Sequence, residues 1–258
     1  MVLTVDVGNS HITLGGFHKD ELLFVSRMAT DLHKTEDEYA IRFKELFALY
    51  QVDGFAFDGA IVSSVVPPLN STVKKAVAKI TGKEAIFVGP GIKSGIGIRC
   101  DVPSSVGADL IVAAVAAHYL YQSPALIVDV GTATKMTVVD ENGAFVGTSI
   151  MPGIAMGLDA LAEKTAQLPK ISLNTPATVI GKNTEDCMRS GILYGHASMI
   201  DGMIDRIQEE FPKPLSLYAT GGMASAVIPL CKHIFTEDEQ LALKGLYLLY
   251  KKNRPNSR

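Results

Sequence analysis

Two stretches of the chain share one pattern of apolar and polar positions. Val2–Val5 leads into Asp6-Val7-Gly8, and Ala125–Val128 leads into Asp129-Val130-Gly131. A second apolar run follows each glycine, which predicts two β-hairpins whose first strands end in an aspartate and a glycine turn. The two aspartates stand 123 residues apart, nearly half of the 258-residue chain. We therefore expect a duplicated strand-rich unit rather than a chance match of two Asp-Val-Gly triplets.

The segments between and after these hairpins alternate between helix and strand patterns. Thr35 and Glu38 have the spacing of a helix capping box, and apolar residues follow them at helical intervals. Further strands are predicted at 60–65, 84–88 and 215–219, and further helices at 69–81, 157–168, 184–211 and 240–252. Alternation of this kind is typical of an α/β fold. Together with the duplication it predicts two domains, residues 1–122 and 123–258.

Composition narrows the range of partners. Apolar residues make up 47% and charged residues 20% of the chain, which argues against charge-driven disorder. The formal net charge of −3 and the pI near 6.1 give no basis for nucleic-acid binding, which needs clustered Lys and Arg. The three cysteines lack metal or redox spacing, and the sequence shows neither a signal-peptide pattern nor an apolar run long enough to span a membrane. We expect a cytoplasmic protein that binds small molecules rather than nucleic acid or membranes.

The first Asp-Val-Gly turn has the composition of a phosphate site. Gly8 allows backbone N–H groups to approach an anion, and Asn9 and Ser10 add short polar side chains. A carboxylate beside phosphate needs a cation between them, so Asp6 is a candidate ligand of Mg²⁺, directly or through water. An ordinary β-turn would also use Gly and Asn. The second copy of the pattern favours the phosphate site.

The second turn offers similar chemistry. Gly131 is followed by the hydroxyl of Thr132, the hydroxyl of Thr134 and the ammonium of Lys135. Phosphoryl transfer depends mainly on positioning and charge neutralisation, which two such turns supply without a P-loop lysine. The P-loop, dinucleotide-binding, HExxH zinc and GxSxG serine-hydrolase motifs do not occur in this sequence.

Two more segments could take part in catalysis or nucleotide binding. Asp109 precedes a long apolar stretch and is expected in the first turn of a helix. There it could be a general base that accepts a proton from an attacking hydroxyl, or it could simply complement the helix dipole. Gly221 and Gly222 follow a predicted strand and precede a helix start, where adenosine could pass close to the backbone, although a plain turn has the same composition.

The ordered motifs of the chain resemble those of type III pantothenate kinases, and the resemblance covers essentially the whole chain. The motifs are those at 6–11, 106–109, 129–134, 151–153, 168–169, 181–184, 190–191, 220–222 and 241–246. The resemblance implies the actin-like and sugar-kinase (ASKHA) fold, with two ribonuclease-H-like α/β domains and nucleotide in a central cleft. It also implies a homodimer that transfers the γ-phosphate of ATP to pantothenate. The product would be 4′-phosphopantothenate, the first intermediate of coenzyme A biosynthesis. The cofactors would be Mg²⁺ and a monovalent cation, K⁺ or NH₄⁺.

By position, the resemblance assigns roles to individual residues. Asp109 would be the catalytic base, Thr132 would contact ATP, and Asp129 would bind the monovalent cation. The ATP phosphates would be held by Asp6, Val7, Gly8, Asn9, Ser10, His11, Ile12 and Thr13. The positions that would contact pantothenate are Cys100, Gly107, Ala108, Asp109, Leu110 and Thr184.

Three positions depart from the family pattern. Leu110 stands where the family has an arginine, Cys100 where many members have a tyrosine, and Lys135 where a small side chain is usual. Loss of a guanidinium removes up to five donors and a fixed charge from the acceptor site. Two alternatives therefore stay open beside a pantothenate kinase. One is a kinase of a related small hydroxylated acceptor, and the other is a nucleotide-binding paralogue that has lost turnover and acts as a regulator.

Overall fold

The computed structural model of the protein describes residues 1–254, which fall into two compact units. The first unit comprises Met1–Leu120 together with the segment from Gln240 onward, and the second comprises Tyr121–Glu239. The expected division after residue 122 lies two residues from the observed one. The expected and observed divisions also differ at residues 240–254, which were expected in the second domain and belong with the first unit. Residues 255–258 of the expected second domain lie outside the described residues.

Strands and helices alternate along both units, as the sequence pattern predicts. In chain order the elements are β1 (Val2–Val7), β2 (His11–His18), β3 (Glu21–Ala29), α1 (Glu36–Leu49), β4 (Gly59–Ser64), α2 (Asn70–Thr81), β5 (Ala85–Phe87), α3 (Ala108–Leu120), β6 (Ala125–Val130), β7 (Ala133–Val139), β8 (Phe145–Pro152), α4 (Ile154–Lys164), α5 (Thr184–Glu209), β9 (Ser216–Thr220), α6 (Ala224–Val227), β10 (Thr236–Glu237) and α7 (Leu241–Asn253).

The two sheets repeat one topology. Within the described residues each sheet has five strands, in the order β3-β2-β1-β4-β5 in the first unit and β10-β9-β6-β7-β8 in the second. In each unit the strand that comes first in the chain, β1 or β6, lies in the centre of the sheet. It pairs antiparallel with the next strand of the chain and parallel with a later one, which is β4 beside β1 and β9 beside β6. The predicted duplication and α/β fold are therefore confirmed at the level of strand order.

The central strand of the first unit is covered on both faces. Leu3, Val5 and Val7 face a core that α1 and α2 complete. Val2 faces the other way, into a core completed by α3 and α7. In the second unit, alternate residues of β6 pack against α4, α5 and α6. Apolar burial on this scale is the main stabilising term in each unit.

Local signals set several element ends where they were expected. Thr35 and Glu38 form both hydrogen bonds of the capping box at the start of α1. Gly82 ends α2 in the left-handed conformation, with φ 64°. The sequence did not predict β3, because the two-residue turn before it uses Lys19 and Asp20, whose φ angles are 48° and 70°. That turn normally carries Asn or Gly.

The assignment of α7 to the first unit depends on a close helix contact. A Cβ atom added at Gly245 would overlap the backbone carbonyl of Val112 in α3 and lie 2.9 Å from its Cγ1. We expect Gly245→Ala to lower the free energy of unfolding by about 1–3 kcal/mol, because backbone cannot yield as a flexible side chain can. Gly195→Ala in α5 is the control, since nothing lies within 4 Å of its added Cβ. It should stabilise by about 0.5–1 kcal/mol. Equal effects of the two changes on urea unfolding would contradict this packing.

Candidate functional site

The first Asp-Val-Gly turn is fixed from both sides by backbone and hydroxyl contacts. The Gly8 N–H donates to the His11 carbonyl oxygen at 2.9 Å. At the end of β3, the Thr30 hydroxyl donates to the Gly8 carbonyl oxygen at 2.7 Å, and the Thr30 N–H donates to the Ser10 carbonyl oxygen at 3.0 Å. Asn9, Ser10 and His11 are exposed. The turn is thus rigid in its backbone and presents polar side chains outward.

Asp6 lies at the carboxyl end of β1 beside an unexpected polar neighbour. Its register partners are Thr13 in β2 and Ser63 in β4, and register partners project to the same face of a sheet. Ser63 is fully buried, and its hydroxyl has no hydrogen-bond partner among the described residues. A buried hydroxyl without a partner is costly unless water or a ligand completes it. A carboxylate and this hydroxyl on one face fit a hydrated divalent cation.

Sequence reasoning did not select Ser63 as a site residue. Its only signal was position, since it follows a buried apolar run at the end of β4. Because β4 pairs in parallel with β1, the ends of the two strands meet at the same edge of the sheet. That pairing could have been inferred only by placing β4 next to β1.

The second turn carries a different arrangement around its aspartate. Asp129 is directly opposite Lys135 in the antiparallel pairing of β6 and β7. The Lys135 Nζ lies 2.7 Å from the Asp129 Oδ2, and the two side chains are only 19% and 28% exposed. An ammonium therefore already stands beside the carboxylate that was expected to bind K⁺ or NH₄⁺. The residues present do not fit a monovalent cation at this oxygen.

Backbone encloses the other oxygen of Asp129. Gly221 has φ +99°, and a Cβ there would lie 2.5 Å from the Asp129 Oδ1 and 2.6 Å from the Val130 nitrogen. The Val130 carbonyl oxygen accepts a hydrogen bond of 3.0 Å from the Met223 N–H, just beyond Gly222. Gly221 is required here for both its conformation and its lack of a side chain. The structure thus brings Gly221 and Gly131 of the expected ATP site together around Asp129.

The back of the second turn is held by two further contacts. A Cβ at Gly153 would overlap the carbonyl oxygens of Gly131 and Thr132, so the glycine after β8 allows close approach to the turn. On the other face of β7, the Thr134 hydroxyl lies 2.7 Å from the His196 Nε2 of α5, and both residues are buried. Burial lowers the pKa of His196, which therefore stays neutral near pH 7.

Asp109 lies in the first turn of α3, as predicted. The Gly107 carbonyl oxygen accepts the N–H groups of Leu110 at 3.1 Å and Ile111 at 3.2 Å, which starts the helix. A Cβ at Gly107 would come within 2.6 Å of the Asp109 Oδ1, so glycine leaves room for the carboxylate. Asp109 is half-buried, and Leu110 is buried with 8% of its surface exposed. Ala108 is the first residue of the helix.

The expected pantothenate contacts are divided between the two units. Cys100 is a half-buried free thiol in the loop before α3, in the same unit as the 107–110 segment. Thr184 is the first residue of α5 in the second unit. It lines a depression of about 640 Å³ whose other lining residues are Gln167, Pro169, Asn183, Glu185, Asp186 and Arg189. Arg189 is ion-paired there, at 2.7 Å with Glu185 and 3.0 Å with Asp186.

The described part of the chain holds no group of three or more His, Cys, Asp or Glu side chains placed to bind a metal ion. A divalent cation at the first turn would therefore depend on few protein ligands, together with phosphate oxygens and water. None of the helices in residues 1–254 is both long and apolar enough to cross a membrane.

Comparison with known proteins identifies one family. The family model of type III pantothenate kinases matches residues 2–206. A type III pantothenate kinase of Brevibacillus brevis is 42% identical over 254 residues, which cover 98% of this chain and all of that protein.

Solved structures agree on the fold. The activator of the 2-hydroxyisocaproyl-CoA dehydratase from Clostridium difficile, with bound ADPNP, is similar with a TM-score of 0.57 at 13% identity, covering 97% of this chain and 95% of that one. Component A of the (R)-2-hydroxyglutaryl-CoA dehydratase from Acidaminococcus fermentans is similar with a TM-score of 0.57 at 15% identity, covering 96% of each chain. At such identities these two show the ASKHA fold alone.

The buried His196 makes stability depend on pH. Its folded-state pKa is lowered by burial, so the unfolded chain binds the extra proton first and stability is lost as pH falls below about 6.5. We expect His196→Asn to be less stable than wild type at pH 7.5, where Thr134 loses its ring partner. The variant should also lose less stability on acidification, by up to about 1.4 kcal/mol per pH unit. Urea unfolding at a series of pH values measures both slopes, and identical slopes would contradict a neutral buried His196.

Proposed function

Since the chain belongs to the type III pantothenate kinase family and phosphorylates pantothenate with ATP, we propose that Asp109 is the base of this reaction. Its carboxylate would accept the proton of the 4′-hydroxyl as that oxygen bonds to the γ-phosphorus. The bond from the γ-phosphorus to the bridging oxygen breaks, and ADP leaves. The observation that carries this assignment is the half-buried carboxylate in the first turn of α3, with a glycine beside it that leaves its Oδ1 room.

In the first unit, the turn from Asp6 to Thr13 is proposed to hold the ATP phosphates. Its rigid backbone and its exposed polar side chains Asn9, Ser10 and His11 support this role. Asp6 would hold Mg²⁺ directly or through water, with the buried Ser63 hydroxyl completing the water shell. When bound, the metal neutralises charge that builds up on the phosphate oxygens.

In the second unit, the turn at Gly131 and Thr132 is proposed to contact ATP, together with Gly221 and Gly222. The support is local: Gly221 and Gly131 have no side chains and lie against the Asp129 carboxylate. The absence of side chains lets both segments lie close together at the second Asp-Val-Gly turn.

The acceptor contacts are proposed at Gly107, Ala108, Cys100, Leu110 and Thr184. Leu110 is buried and apolar, so at this position pantothenate would meet hydrocarbon and no guanidinium. The adjacent N–H groups at the start of α3 remain suited to an anionic group. Family membership thus keeps pantothenate as the acceptor while this chain recognises it with fewer charged donors.

A homodimer is proposed from the resemblance, and a cytoplasmic location from the cysteines. The support for the compartment is that all three cysteines, which lie within residues 1–254, are free thiols. Light scattering after size-exclusion chromatography measures the oligomeric state directly. A mass of one chain would contradict the dimer.

The role of Asp109 is tested by Asp109→Asn. The amide keeps the shape of the side chain but cannot accept the proton, so kcat should fall by about 10²–10⁴-fold. ATP affinity measured by calorimetry should stay unchanged. Asp37→Asn is the matched control, because Asp37 is also in the first turn of a helix and is 71% exposed. It should leave kcat unaltered.

Two outcomes of these experiments would contradict the proposed roles of Asp109 and of the chain. If both variants keep the wild-type kcat, Asp109 only complements the helix dipole. If wild type binds ATP but transfers no phosphate to pantothenate, the chain is a nucleotide-binding paralogue without turnover.

A further inference from the structure

The ion pair between Lys135 and Asp129 is fixed by the fold rather than by chance side-chain placement. The two residues are register partners in an antiparallel pair, and the hairpin turn between them is short. Side chains of such partners lie about 4.5–5.5 Å apart at Cβ on the same face of the sheet. The strand pairing therefore holds the Cβ of Lys135 beside Asp129, and the ammonium reaches the carboxylate from that position.

The surroundings strengthen the pair. Both side chains are partly buried, with 19% of Lys135 and 28% of Asp129 exposed, so water screens their attraction less than at the open surface. Gly221 backbone lies against the Asp129 Oδ1, and the Lys135 ammonium is at 2.7 Å from the Oδ2. A second cation at this carboxylate would be repelled by the ammonium at short range.

A positive charge at this carboxylate also has a function. The turn that follows Asp129 is proposed to contact ATP, and an uncompensated carboxylate there would repel the phosphates. A dissolved monovalent ion could supply that charge, but it must be bound from solution. An ammonium on the neighbouring strand is always present.

We propose that the Lys135 ammonium replaces the monovalent cation at Asp129, so that this enzyme binds ATP and turns over without K⁺ or NH₄⁺. Lys135 acts here as a positioning residue that works through Asp129. The inference rests on the proposed function for its kinetic effect, but its effect on ATP binding can be measured without turnover.

The experiment compares wild type with Lys135→Ala in Tris and choline salts free of K⁺ and NH₄⁺, and after addition of KCl or NH₄Cl at matched ionic strength. Wild-type kcat/KM and ATP affinity should be the same in both. Lys135→Ala should lose about 10- to 100-fold in kcat/KM without K⁺, as expected for a hydrogen bond to a charged group, and regain it with K⁺ or NH₄⁺. Added Li⁺ should not rescue it, because a smaller ion holds its water shell more tightly.

Lys213→Ala is the matched control. Lys213 pairs with Glu141 at the surface of the same unit and is 64% exposed. Its removal takes away the same charge and should leave both activity and the response to K⁺ unchanged.

Three results would overturn the inference. They are a wild type that requires K⁺, a Lys135→Ala variant that K⁺ does not rescue, and a Lys135→Ala variant that is fully active without K⁺. Calorimetry of ATP binding gives an independent readout, since affinity should respond to K⁺ only in the variant. A wild type that shows this binding pattern but no phosphoryl transfer would contradict the kinase function and support the inference.

Discussion

A central strand whose two faces are both buried can place an unpaired carboxylate only near its end, and the rest of this structure depends on that constraint. β1 and β6 are each the middle strand of a five-stranded sheet and are apolar or fully buried up to their last two residues. Burying an unpaired charge any earlier would cost several kcal/mol. Asp6 and Asp129 therefore stand one residue before the end of their strands, just ahead of the turn that closes each hairpin. Repetition of this hairpin gives the fold two corresponding turns, which we propose bind the phosphates of ATP.

The two copies differ in the groups that face the aspartate carboxylate. Asp6 faces Thr13 and the Ser63 hydroxyl, which has no hydrogen-bond partner within residues 1–254, an arrangement that suits a hydrated divalent ion. Asp129 faces an ammonium from its own hairpin. We propose that the first turn takes up a bound metal ion, while the second carries its own positive charge in Lys135.

Much of the fold followed from the sequence, because its signals are local. The capping box of Thr35 and Glu38, the stop at Gly82 and the paired Asp-Val-Gly turns each depend on a few neighbouring residues. Three features were out of reach. The turn at Lys19 and Asp20 adopts left-handed angles that neither residue normally signals. The helical period of α7 is visible in the sequence, but the unit against which α7 packs is not. The contact of Gly245 with Val112 is seen only in the structure. Ser63 was recognised as a candidate site residue only because β4 pairs with β1, and these strands are far apart in the chain.

This chain phosphorylates pantothenate although Leu110 and Cys100 stand where the family pattern has polar side chains. Mass spectrometry and phosphorus NMR of the products formed by purified protein from ATP and Mg²⁺ test it most directly, with pantothenate, pantetheine and small polyols offered separately. We expect 4′-phosphopantothenate and ADP in equal amounts. Release of ADP without phosphorylated pantothenate, or phosphorylation of only pantetheine or a polyol, would contradict it.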